Sequence, residues 1–305
     1  MMRVFVNWNY LVPFYRPYSF FFLNDMRNDM EHSTAETRTI KTADGNSLEY
    51  QVIGDGPPVV FLHGFLANRF TFSRQIEAFA DNHKLILINL RGSAGSNFLV
   101  PENYGIATTD LDDLRTILDA ERLNKVSLFC HSSGGAVGFL LAMQSPERVD
   151  RAILLEPSLF RLMPVAKLNT VIEETSAVVN VAQKQGPYEG LKAAIISAAG
   201  DAWTNLDQQT QEKRLSALAG SAAFVGPHFL SLIQLDITEE DVEKLKPSTL
   251  LIYGANSFWF EQFIAERFRQ IRPDIKILTI ENASHNVHRD QANTVNKEAL
   301  AFLSN

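Results

Sequence analysis

Ser132 sits where a run of β-branched and aromatic residues, Val126 to Phe129, breaks at Cys130-His131-Ser132-Ser133-Gly134-Gly135 and gives way to a helical pattern through Ala142. A strand that turns sharply into a helix strains the backbone at the turn. It pushes a hydroxyl there out of the sheet and leaves the next N–H groups facing whatever that hydroxyl attacks. This is the geometry of nucleophilic acyl transfer, which also needs a base within hydrogen-bond reach, an acid to orient the base, and N–H donors for the developing oxyanion. Taken alone, the same residues also describe an ordinary Gly-rich connection between a strand and a helix.

The elements around Ser132 have to supply the rest. Thr37 to Thr42 and Ser47 to Ile53 are short strand candidates around Ala43-Asp44-Gly45-Asn46, whose Asp-Gly pair signals a tight hairpin. Val59 to Leu62 and Lys84 to Leu90 are continuous apolar runs, as expected for strands buried on both faces, with a helical stretch from Asn68 to Ala80 between them. Thr109 to Leu123 is amphipathic through Leu111, Leu114, Ile117 and Leu118, with Asp110, Asp112 and Asp113 at the end where acids suit the helix dipole. Arg151 to Leu155 gives another strand, closed by Glu156-Pro157. From Ser158 to about Lys246 no such run recurs, and amphipathic stretches alternate with breaks at Pro164, Gly186-Pro187, Gly200, Gly220 and Gly226-Pro227. Strand, helix, strand, helix then resumes with Thr249 to Gly254, Trp259 to Gln270, Ile275 to Ile280 and Asp290 to Leu303. The alternation predicts an α/β fold: a mostly parallel sheet with helices on both faces and ligands beyond the C-terminal strand ends.

The Ser132 turn resembles the nucleophile elbow of the α/β-hydrolase superfamily, usually G-x-S-x-G, with Cys130 in place of the first glycine. Leu90 to Ser96 is similar to the R-G-x-G-x-S loop of many members, keeping its spacing but not every glycine. The resemblance spans roughly residues 37 to 303 and implies the following roles. Glu281 to Val287 matches the loop bearing the catalytic histidine, with His285 at the matching place and His288 as the decoy three residues on. His63-Gly64-Phe65 matches the H-G-x oxyanion motif, so the backbone N–H groups of Phe65 and Ser133 form the oxyanion hole. His63 and His131 are read as structural. The usual acid position, the fourth of Gly254-Ala255-Asn256-Ser257, holds a serine. Glu156, at the end of the sixth strand where a minority of the superfamily keeps its acid, is therefore the expected third member of the triad; Asn256 or Ser257 in a weaker dyad, and Glu261, are the alternatives.

The resemblance implies a serine esterase acting on carboxylic esters of small to medium apolar substrates. A carbon–carbon bond hydrolase or a lactonase would use the same serine, and a non-catalytic ligand-binding protein on the same fold is the reading from another class. The expected organisation is an aromatic-rich extension over residues 1–36, a hydrolase core over 37–157 and 247–305, and a helical lid over 158–246.

Bulk properties bound the rest. With 46% hydrophobic and 21% charged residues, the 305-residue chain reads as globular with a sizeable core. A net charge of -7 gives no basic footprint for nucleic acid. Cys130 is the sole cysteine, so neither an intrachain disulfide nor a cysteine metal cluster is possible, and no ligand-spaced histidine pair suggests a metal or any other cofactor. A thiol nucleophile at Cys130 is the lesser alternative to Ser132. The first thirty residues hold Trp8, Tyr10, Phe14, Tyr15, Tyr18 and Phe20-Phe21-Phe22, broken by prolines and polar residues that spoil a signal sequence and leave apolar stretches too short for a membrane span. A cytoplasmic protein follows, whose aromatic arm packs on its own domain or lid, on another subunit, or on a membrane surface.

Overall fold

The computed structural model describes residues 35–96 and 99–304. The expected aromatic extension over 1–36 lies outside them, apart from its last two residues. Eight strands are described: β1 (Glu36–Lys41), β2 (Ser47–Ile53), β3 (Pro58–Leu62), β4 (Lys84–Ile88), β5 (Val126–His131), β6 (Val149–Leu155), β7 (Ser248–Gly254) and β8 (Lys276–Ile280). They form one sheet in the order β1-β2-β4-β3-β5-β6-β7-β8. The β1–β2 and β2–β4 pairs are antiparallel, and every pair from β4 to β8 is parallel.

The apolar runs alternate between two buried faces, because successive side chains of a strand point oppositely. Val60, Leu62, Leu128, Cys130 and Leu154 face one core, shared with α2 (Leu111–Ala120), α3 (Ser132–Gln144) and α10 (Glu261–Ile271). Val59, Phe61, Phe129, Ile153 and Ile252 face the other, covered by α1 (Ser73–Ala80) and α12 (Ala292–Leu303). Phe61 packs on Phe72, Phe79 and Phe129, with ring centroids 5.0 to 5.6 Å apart. Helix α1 begins later than the sequence suggested. Asn68 caps a 3₁₀ turn over Arg69–Phe72 by accepting the Phe70 N–H, and the α-helix starts only at Ser73.

Between β6 and β7 the chain makes α4 (Val165–Gln185), α5 (Pro187–Ala199), α6 (Asp201–Thr204), α7 (Gln208–Leu218), α8 (Val225–Gln234) and α9 (Glu239–Glu243). Val178, Leu191, Ile195, Leu215 and Val225 give this insertion an apolar cluster of its own. The run Gln208–Gln234 is long and apolar enough to cross a membrane by length and composition. It is not one regular α-helix, however. 3₁₀ turns over Ala219–Phe224 separate α7 from α8, and Phe224, Val225, His228 and Leu232 are buried in the protein. After β8 a single turn, α11 (Val287–Asp290), precedes α12.

Candidate active site

Strand β5 passes directly into α3, and the change of direction falls on one residue: Ser132 has φ 56°, a left-handed conformation that a side chain disfavours. Its surroundings hold it there. A Cβ on Gly64 would lie 2.8 Å from the Ser132 Cβ and 3.3 Å from its Oγ, so only glycine lets the loop after β3 come this close. On the other side, a Cβ on Gly134 would lie 2.4 Å from the His63 carbonyl oxygen. The Ser132 hydroxyl is partly exposed and also lies 3.4 Å from Ser158 Oγ. Cys130 is fully buried, and a Cβ on Gly138 of α3 would lie 2.7 Å from its Sγ. Burial pushes the thiol far above its usual range, which makes it an inert packing group.

Two further strand ends converge on Ser132. His285, in the loop after β8, places Nε2 3.1 Å from Ser132 Oγ, while its Nδ1 hydrogen-bonds Glu156 Oε2. Glu156 directly follows β6, also with a left-handed φ, 48°. It is fully buried, and a buried carboxylate is tolerable only when its lone pairs are used. Here Oε1 accepts the Gly254 N–H at 2.7 Å, and Oε2 accepts the Ser257 hydroxyl as well as the histidine. The serine at the usual acid position therefore braces the carboxylate that arrives from β6. Asn256 is exposed. The relay thus runs from a fully buried carboxylate through a histidine that is 18% exposed to a partly exposed hydroxyl.

The histidine loop is pinned from two sides. His131 Nε2–H donates to the His285 carbonyl at 2.8 Å, and Asp290 accepts the Ser284 N–H at 2.8 Å and its hydroxyl at 2.5 Å. His288 points elsewhere, to Thr71 Oγ1 at 3.0 Å. His63 braces the loop after β3 by donating to the Gly64 carbonyl at 2.7 Å and accepting the Leu90 N–H at 3.0 Å. Burial drives all three of these histidines well toward the neutral form, His63 to about 4. Ser133 is the second residue of α3, so its N–H belongs to the first-turn donors that lack an intrahelical acceptor. The Phe65 N–H likewise meets no backbone acceptor among the described turns and loops.

Several neighbours carry no spacing signal that sequence reasoning could use. The Phe65 ring stacks on His228 of α8, with centroids 4.0 Å apart and planes 11° apart. His228 Nδ1 lies 3.0 Å from the Tyr104 hydroxyl, which is 2.8 Å from Asp110 Oδ2. Glu261, at the start of α10, is 2% exposed and brings Oε1 to 3.9 Å from His285 Nδ1. The donor atoms of Glu156, Glu261 and His285 lie within 4.8 Å of one another, a spacing that suits a metal ion, though Glu156 and His285 already bond each other there. An aromatic row, Phe258, Phe260 and Phe160, leads away from His285 at centroid separations of 4.7, 5.2 and 5.3 Å.

Comparison with known proteins gives a match over residues 57–292 to the family described as alpha/beta hydrolase fold. A cis-3-alkyl-4-alkyloxetan-2-one decarboxylase of Shewanella oneidensis is 25% identical over 295 residues, covering 88% of each chain. A carboxylesterase of Bacillus subtilis is 22% identical and covers 82% of this chain and 81% of its own. Among solved structures, an esterase from Exiguobacterium antarcticum superposes with a TM-score of 0.71 at 19% identity, covering 88% of this chain and all of that one.

Proposed function

Because this chain belongs to the α/β-hydrolase fold family, we propose that it is a serine hydrolase that cleaves carboxylic esters of small to medium apolar substrates through an acyl-enzyme. The observation that carries this reading is the unbroken chain from Ser132 Oγ through His285 to the buried Glu156. His285 Nε2 takes the Ser132 proton as Oγ attacks the ester carbonyl, and Glu156 stabilises the imidazolium so formed. The Phe65 and Ser133 N–H groups receive the oxyanion. His285 then protonates the departing alcohol oxygen, activates a water, and returns its proton to Ser132 as the acid leaves. The helices between β6 and β7 act as the lid and, with Phe65 and the Phe258 row, supply an apolar wall beside the reacting carbonyl.

A second reading is a lactone as substrate. The relative named as a decarboxylase of an oxetan-2-one, a four-membered cyclic ester, supports the substrate class and not the hydrolysis; here Ser132 would open the ring. Fluorophosphonate labelling followed by a panel of p-nitrophenyl esters of increasing chain length, with lactones in parallel, tests both. Labelling of the wild type but not of Ser132→Ala, with turnover best on one chain-length range, is the expected result. An unlabelled wild type would overturn the hydrolase reading in favour of a non-catalytic ligand-binding protein.

A further inference from the structure

Among the described residues, Glu261 is the acid beside the relay to which the mechanism gives no task. It opens α10, is 2% exposed, and its Oε1 has no hydrogen-bond partner while lying 3.9 Å from His285 Nδ1. An unpartnered buried carboxyl oxygen destabilises a fold, and an apolar side chain at this place would avoid that cost. We propose that Glu261 is a second acid of the relay, a carboxyl placed behind the Glu156–His285 pair that becomes the counter-ion of the imidazolium when Glu156 cannot. This rests on the hydrolase reading above.

The electrostatics separate the two acids. Among the described residues, the titratable groups facing Glu261 are Glu156 from the end of β6 and His285 from the loop after β8, with the neutral His131 of β5 beyond the histidine at 4.8 Å between rings. Glu156 has three donors around its oxygens, whereas Glu261 Oε1 has none. Burial, and then the neighbouring Glu156, hold Glu261 well above the usual carboxyl range, so it keeps its proton. A second buried negative charge would favour the imidazolium before any substrate arrived and remove the base that Ser132 requires. When Glu156 is replaced by an amide, the opposing charge disappears. Glu261 then releases its proton to water, and its carboxylate is the nearest anion to Nδ1. As an acid titrating in the variant, it is charged above its pKa, so the rescued activity rises with pH.

The test compares Glu156→Gln, Glu261→Gln and the double variant in ester hydrolysis and fluorophosphonate labelling across mildly acidic to alkaline pH. The residual activity of Glu156→Gln is expected to increase with pH, and adding Glu261→Gln to flatten the profile and cost about tenfold more. Equal residual activity and equal profiles in the single and double variants would overturn the proposal. So would a Glu261→Gln loss as large as that of Glu156→Gln, which would make Glu261 the primary acid. Infrared spectroscopy with isotope-labelled glutamate gives a readout that needs no turnover. A protonated-carboxyl stretch is expected in wild type, absent from Glu261→Gln, and lost at lower pH in Glu156→Gln than in wild type; a band indifferent to Glu156 would refute the coupling. A wild type that labels with nothing would instead sink the hydrolase reading, while the infrared comparison still decides the charge state of Glu261.

Discussion

Among the described residues, two histidines are joined by hydrogen bonds to a buried carboxyl: His285 to Glu156 directly, and His228 to Asp110 through the Tyr104 hydroxyl. Glu156 accepts from Gly254, Ser257 and His285, whereas Asp110 has one donor and an Oδ1 without a partner. Unsatisfied burial pushes Asp110 up to about 7, and burial takes His228 down to about 3. The first chain ends at a serine on a strained strand end. The second ends 2% exposed on α8, stacked on Phe65. Around it, Ser221 donates to the Gly92 carbonyl, Ser231 Oγ accepts the Ile106 N–H at 2.7 Å, and Phe224 fills the space over Gly92. A histidine beside an acid is thus not a catalytic unit by itself. Three donors on its carboxylate and a hydroxyl 3.1 Å from the other ring nitrogen set the first chain apart. Without them the other is a strut tying the inserted helices to the loops after β4.

Substitutions at equivalent points of the two chains put this contrast to the test. Glu156→Gln is expected to lower kcat by about 10⁴, whereas Asp110→Asn changes it by less than about tenfold; steady-state kinetics on one ester substrate compares them, and similar losses would erase the distinction. Gly64→Ala places a methyl 2.8 Å from the Ser132 Cβ. It should reduce kcat by about 10² with the fold intact by circular dichroism. The strut shows instead in stability. Between the usual 3.8 and about 7 the folded state keeps a proton on Asp110 that the unfolded chain releases, so stability falls as pH rises through that window and levels off above it. Asp110→Asn removes this slope and should stabilise the protein above pH 7 by on the order of 2–4 kcal/mol, measured by urea unfolding at several pH values. Ser257→Ala, which removes one of three donors to Glu156, is the mildest, at about a fivefold loss of kcat.

The central strands of the sheet were legible because they are buried on both faces and read as largely apolar runs. Val59 to Leu62 and Thr249 to Gly254 needed no tertiary information. Ser132 and Glu156 could be named because each sits just past such a run, and His285 because its loop follows the last strand, where a parallel sheet gathers its strand ends. The strut was not legible. Tyr104 and His228 are 124 residues apart, and neither follows a strand, so no local pattern marks them. Glu261 was named in the sequence only as an alternative acid, and its burial beside Glu156 is shown by the fold alone. The meaning of Ser257 also came from the structure: a serine cannot carry the charge, but it can donate to the residue that does.

Cys130 has a practical consequence. The chain's one thiol lies fully buried under α3, so the native protein is expected to react with alkylating reagents as if it had no cysteine. A single cysteine introduced at exposed Val165 or Tyr188, on the inserted helices, would therefore be the one site a spin label or fluorophore finds. Any movement of those helices relative to the sheet can then be followed in solution without first removing a native residue.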